Sequence, residues 1–126
     1  MNYLSNVQAA DQVVQGIRAA GGQAIALQGD VRNADDVDRV VQNVHEIYGR
    51  VDGLVGNASM RFVRKPVLEI SWDELAQKLN DEIKAAFELT RSVGPIMVAQ
   101  GSGRIVYVRW SSSNRTSSLS KPVSVG

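Results

Sequence analysis

The 126 residues carry 14 Lys and Arg against 13 Asp and Glu, a net charge of +1, with 44% hydrophobic and 21% charged residues. That balance excludes a disordered or fibrous chain, and it provides no long-range field to draw in nucleic acid or an anionic membrane. Cysteine is absent and His45 is the only histidine, which excludes disulfides, thiolate ligands and a cysteine nucleophile and argues against a metal site. The length suits one domain, residues 1–126. No apolar run reaches the length of a membrane span, and Met1-Asn2-Tyr3-Leu4 does not read as a secretory leader, so the cytoplasm is the expected location.

In chain order, Val7, Ala10, Val13, Val14 and Ile17 recur at helical spacing over residues 7–20, with Ser5 or Asn6 placed to cap the start and Gly21-Gly22 to end it. Residues 23–28 form a short apolar run closed by Gly29-Asp30-Val31 and read as a strand. A second amphipathic helix spans about Ala34 to Tyr48, with Asp35 and Asp36 in its first turn and Gly49 after its last. The apolar run at 51–55 is the next strand. A loop with Arg61, Arg64, Lys65 and Pro66 leads to Ser71-Trp72-Asp73-Glu74, the pattern of a capping box. The helix it opens is the longest, with Leu75, Leu79, Ile83, Ala86, Phe87 and Thr90 expected to face inward, and it is expected to continue past Gly94-Pro95 with a kink. Arg104 to Val108 is a further strand, and residues 109–126 are serine-rich and aperiodic, a loop or tail. Alternating helices and strands predict an α/β fold with a parallel sheet and right-handed crossovers.

The stretch from Val51 to Ser59 organises the rest. An apolar run enters a Gly56-Asn57-Ala58-Ser59 turn, the way a buried parallel strand delivers backbone to a ligand at its carboxyl end. Asp52-Gly53-Leu54-Val55-Gly56-Asn57-Ala58-Ser59 resembles the D-x-L-V-x-N-A-G segment of the short-chain dehydrogenases/reductases, with Ser59 where that family usually has glycine. Asn2-Tyr3 is similar to the end of the family's second strand, Gly22 to Leu27 to its third, and Gly29-Asp30-Val31 to its D-V pair. The resemblance implies a Rossmann-type three-layer sandwich binding NADP or NAD. Asp30 would accept the adenine amino group, the backbone after Val31 would lie beside the ring, Asn57 with Ala58 and the backbone of Gly56 would face the ribose and nicotinamide, and Ser59 is a further cofactor-binding candidate. No acidic residue stands at residues 2–6 to repel a 2′-phosphate, and Ser5 and Asn6 would tolerate one, which favours NADP.

The departures are equally specific. The family's phosphate-binding glycine turn has no counterpart, and Tyr3, Tyr48 and Tyr107 are not followed four residues on by the lysine of the family's Tyr-x-x-x-Lys pair. Of the catalytic groups only a serine after the last strand remains, Ser111 first, with Ser112 and Ser113 as alternatives. The family's proton-relay asparagine aligns with Glu82, with Asn80 two residues earlier. The family places its first strand between its second and fourth, so a sheet without it should split in two. The chain therefore reads as the middle of a longer oxidoreductase, transferring hydride between nicotinamide and a carbonyl or alcohol of the 3-oxoacyl thioester kind, and inactive by itself. The alternative is a non-catalytic interaction module that forms a homo-oligomer through the helix at 71–99, where Ala85, Leu89 and Val98 are the residues to inspect.

Overall fold

The computed structural model describes residues 1–58 and 65–108; Ser59, Arg61, Arg64, Ser111 to Ser113 and the expected tail lie outside them. The elements run β1 (Asn2–Tyr3), α1 (Val7–Ala19), β2 (Leu27–Gln28), α2 (Ala34–Tyr48), β3 (Gly53–Gly56), α3 (Trp72–Gln100) and β4 (Arg104–Tyr107). This is an α/β chain in which every strand pairs in parallel.

Each helix starts where a short polar side chain replaces a missing carbonyl. Asn6 accepts from the Ala9 amide at 2.9 Å and Asn33 from the Asp36 amide at 3.1 Å, so Asn6 rather than Ser5 caps α1. At α3 the box is reciprocal: the Glu74 amide donates to Ser71 Oγ at 3.2 Å, and the Ser71 amide donates to Glu74 Oε2 at 2.9 Å. Gly49 ends α2 with φ 75°, a left-handed conformation that costs glycine nothing. The long helix runs through Gly94-Pro95 to Gln100.

The strands form two separate two-stranded sheets, β1–β2 and β3–β4. The split expected of a sheet lacking its central strand is present. Residues 23–26 are not strand, contrary to the expectation of a strand over 23–28. Their partner β1 is only two residues long, and other groups satisfy the backbone there: the Met1 nitrogen donates to the Ile25 carbonyl at 2.7 Å, and the Arg18 guanidinium donates to Ala24 at 2.8 and 3.1 Å. Val51, expected to begin the next strand, precedes β3 and is held by a side chain instead. Gln100 Oε1 accepts from its amide at 2.8 Å and Gln100 Nε2 donates to its carbonyl at 2.9 Å, standing in for a neighbouring strand.

The core lies between α2, α3 and the β3–β4 ribbon: Val37, Val41, Val51, Val93 and Met97 are buried, with Leu54, Leu89, Ile96 and Ile105 packed around them. This requires two corrections. In α3 the inward stripe is Ala85, Glu88, Val93 and Met97, whereas Leu79, Ile83, Phe87 and Thr90 are exposed, Ile83 at 68% and Phe87 at 60%. The helix is apolar over a wider arc than this fold covers, so residue type alone pointed to the wrong side. In α1, Ala10 and Val14 are buried while Val7, Val13 and Ile17 stay exposed, because β1 is too short to cover a wider stripe.

Gly56 stands directly across from Tyr107 in the β3–β4 register. A Cβ there would lie 2.4 Å from the tyrosine ring, and the Tyr107 hydroxyl is anchored by donating to the Ala86 carbonyl at 2.8 Å. Gly56→Ala is expected to lower unfolding stability by about 1–3 kcal/mol, the usual cost of overpacking, in a urea titration. Unchanged stability would contradict this register.

Candidate functional site

The carboxyl ends of β1, β2 and β3 open onto one groove of about 420 Å³, lined by Tyr3 to Ser5, Gly29 to Arg32, Ala58 and Asp81. A cavity of about 650 Å³ between the two half-sheets adjoins it through Asn2, Val31 and Ala58 and reaches Gly53 to Asn57. Two pairs of neighbours far apart in sequence, Asp30-Val31 and Asn57-Ala58, thus line two adjoining spaces. Ser59 and Ser111 lie outside the described residues.

Local chemistry fixes this edge. Asn2 Nδ2 donates to the Gly29 carbonyl at 3.0 Å and the Leu27 carbonyl at 3.3 Å, knitting β1 to the end of β2. The turn after β2 is held by Asp36, whose Oδ2 accepts from the Asp30 amide at 3.0 Å. At the other side, the Thr90 and Tyr107 hydroxyls lie 2.6 Å apart beside the Ala86 carbonyl, tying the end of β4 to α3.

The electrostatic centre of the groove is Asp30. Its Oδ1 accepts from the Arg32 amide at 2.9 Å and from Arg32 Nε at 3.0 Å, and its Oδ2 accepts from Nη2 at 2.7 Å. Arg32 Nη1 reaches across to Asp81 on α3 at 3.3 Å, so one guanidinium bridges the β2 turn and the long helix. The side-chain hydrogen bonds from Arg32 hold the Asp30 carboxyl below its ordinary value, and those from Asp30 raise Arg32 in turn. The sequence pointed to Asp30 but missed Arg32 and Asp81. Arg32 was findable, since a charge two residues on can fold back across a turn; Asp81, 49 residues from Arg32, gives no local signal.

The remaining candidates lie elsewhere or are engaged. Glu82 pairs with Lys78 and both Glu82 and Asn80 are exposed on α3. Asn6 is taken by its capping bond, whereas Ser5 lines the groove. His45 is exposed near the end of α2.

The family model for short chain dehydrogenase matches residues 1–120. The chain belongs to the short-chain dehydrogenase family. It is 38% identical over 97 residues to the Ketoacyl reductase HetN of Nostoc sp., covering 77% of this chain and 33% of that protein. It is 35% identical over 109 residues to a 3-oxoacyl-[acyl-carrier-protein] reductase of Synechocystis sp., covering 86% of this chain and 43% of that one. A solved 3-ketoacyl-ACP reductase from Sinorhizobium meliloti superposes with TM-score 0.71 at 26% identity, covering 84% of this chain and 42% of the other. NAD+-bound xylitol dehydrogenase does so with TM-score 0.74 at 28% identity, covering 81% and 39%. The chain spans less than half the length of these relatives, and the fold shared with them is a parallel α/β Rossmann framework.

Two carboxyl groups give pH predictions. Glu74, with Lys65 and the Ser71 amide bonded to it, is pushed down from 4.5 to about 2. A depressed carboxyl contributes stability that is full above its unfolded value and is lost as pH falls through the folded one, so the α3 cap should weaken between about pH 4.5 and 2. Carboxyl NMR titration should find the Glu74 midpoint near 2; a midpoint near 4.5 would show the cap is open. The same titration in Arg32→Ala should move Asp30 upward toward 3.8, because the largest influence lowering it is gone.

Proposed function

We propose that this chain supplies the adenosine side of the cofactor site in an NADP-dependent oxidoreductase acting on a carbonyl or alcohol of the 3-oxoacyl thioester kind. The observation that carries it is the meeting of Asp30, Val31 and Ala58 on one groove at the carboxyl ends of parallel strands, where open α/β sheets bind ligands. The substrate class rests on the relatives named ketoacyl or 3-oxoacyl reductases.

The described residues fit one end of such a cofactor. Among the described residues Asp30 Oδ2 accepts one hydrogen bond, from Arg32, which leaves it capacity to take an adenine amino group. Ser5 on the same groove offers a hydroxyl and no carboxylate beside a 2′-phosphate. Asn57 and Ala58 border the space toward ribose and nicotinamide. No glycine turn opens α1, α2 or α3 to receive the pyrophosphate, and one first-turn amide of each is already taken by a capping side chain, Asn6, Asn33 and Ser71. Bound nicotinamide would supply hydride chemistry, and the chain holds no Tyr-x-x-x-Lys pair to move the proton that accompanies it. On its own the chain therefore orients part of a nucleotide and turns nothing over.

Adenosine 2′,5′-bisphosphate added to labelled protein should shift the amide signals of Asp30, Val31 and Ala58, more weakly with adenosine 5′-monophosphate. Asp30→Ala should weaken binding at least fivefold. Shifts elsewhere only, or NADPH oxidation by this chain with a 3-oxoacyl thioester, would contradict the assignment.

A second reading, association through α3, is favoured by its uncovered stripe. At 3.6 residues per turn Leu79, Ile83, Phe87 and Val98 fall within an arc of about 100°, and Val98 is 81% exposed. Ala85 and Leu89 belong to the inward side and are not available to a partner. Sedimentation should show a dimer that Ile83→Lys with Val98→Glu dissociates; a monomer in the unsubstituted chain would remove this reading.

A further inference from the structure

Three charged side chains on the groove, Asp30, Arg32 and Asp81, are joined into one chain of bonds, yet only Asp30 is assigned a contact with a ligand. Arg32 grips the Asp30 carboxylate with two nitrogens, Nε to Oδ1 at 3.0 Å and Nη2 to Oδ2 at 2.7 Å, a planar fork that fixes the plane of the carboxylate. The third guanidinium nitrogen, Nη1, donates the other way, to Asp81 Oδ2 on α3 at 3.3 Å. Asp81 is held in turn, its Oδ1 accepting from Gln77 Nε2, one helical turn earlier, at 2.9 Å. An ionised carboxylate offers about four acceptor positions, two on each oxygen. Among the described residues the fork takes one on each oxygen of Asp30, and the Arg32 amide takes the second on Oδ1 at 2.9 Å. One position is left, on Oδ2.

We propose that Arg32 and Asp81 are positioning residues of this groove: Asp81 anchors the guanidinium to α3, the guanidinium fixes the Asp30 carboxylate, and the acceptor left on Oδ2 selects a base with an exocyclic amine over one with a carbonyl at the same place. These roles presuppose that the groove takes an adenosine, and they name what decides its base. The 6-amino group of adenine donates along the one open direction. Hypoxanthine puts a carbonyl oxygen there, and two acceptors facing each other leave both without a partner. A carboxylate free to turn could escape that conflict by taking the N1–H that hypoxanthine carries, so selectivity depends on holding it still. Arg32 lies only two residues from Asp30, in the turn after β2, and without Asp81 the fork and the carboxylate would move together. Charge works in the same direction: the side-chain hydrogen bonds from Arg32 hold the Asp30 carboxyl below its ordinary value, and Lys84 of α3 adds to this, so Oδ2 stays an acceptor.

The test titrates adenosine 5′-monophosphate and inosine 5′-monophosphate into the labelled 126-residue chain and follows the Asp30 and Val31 amides. The unsubstituted chain should bind the adenosine form about tenfold more tightly, the scale of one hydrogen bond to a charged group. Arg32→Lys keeps the charge and loses the fork, Asp81→Asn keeps the shape and loses the charged anchor, and each should reduce the preference to about twofold or less. In the ligand-free chain the Arg32 Nη1 and Nη2 nitrogens should give separate NMR signals, and Asp81→Asn should speed exchange between them at least tenfold. Equal binding of the two nucleotides by the unsubstituted chain, a preference retained in either variant whatever its affinity, or guanidinium rotation unaffected by Asp81→Asn would overturn the proposal and leave the adenosine assignment standing. No response of Asp30 and Val31 to either nucleotide in the unsubstituted chain would overturn the assignment, and these roles with it.

Discussion

Parallel strands have to hand their backbone hydrogen bonds to neighbours on both sides, and that requirement governs this molecule. Among the described residues four strands form two pairs, and β1 and β3 each meet a partner on one side and the shared cavity on the other. An unanswered buried amide or carbonyl costs about 1–3 kcal/mol, so the arrangement is tolerable only where strands are short or edges stay open to water. Both conditions are seen. β1 and β2 have two residues each, and Val55, whose backbone groups lie on the edge of β3 away from β4, is largely exposed.

Side chains and helices do the joining that the sheet does not. The core residues Val37 and Val41 of α2 and Val93 and Met97 of α3 form one cluster with Val51 and Leu54, so the helical layer spans the divide. Arg32 bridges Asp30 and Asp81, linking the turn after β2 to α3, and Arg91 reaches Asp38 at 3.8 Å, linking α3 to α2. These pairs are at least partly exposed, and their worth lies more in orienting the turn than in overall stability. The consequence for function is that Asp30 is presented to the groove already ionised and already oriented, with the same guanidinium that fixes it occupying part of its acceptor capacity.

Much of this was legible in the residues because the signals were local. Gly49 and the Ser71-Glu74 pair marked helix ends through short-range chemistry, whereas the Asn33 cap of α2 went unread, and the family segments at Asp30 and Asn57 pointed to the strand ends. Tertiary coverage was not legible. Leu79, Ile83 and Phe87 are as apolar as the residues that α3 buries, and only the position of α2 decides which stripe is covered. The strand expected over 23–28 shrank for the same reason, since its extent depends on the length of β1, and the Arg32–Asp81 contact joins residues that no spacing rule connects.

The central claim is that β1 and β3 are edges of separate two-stranded sheets that border one cavity. Residue-resolved hydrogen exchange on this chain alone, at low protein concentration, tests it most directly. Along β3 the account predicts alternation, with Leu54 and Gly56, which face β4, exchanging slowly and Gly53 and Val55 exchanging at least tenfold faster. Uniformly slow exchange across Gly53 to Gly56 would mean that β3 already has neighbours on both sides, and the split sheet would be wrong.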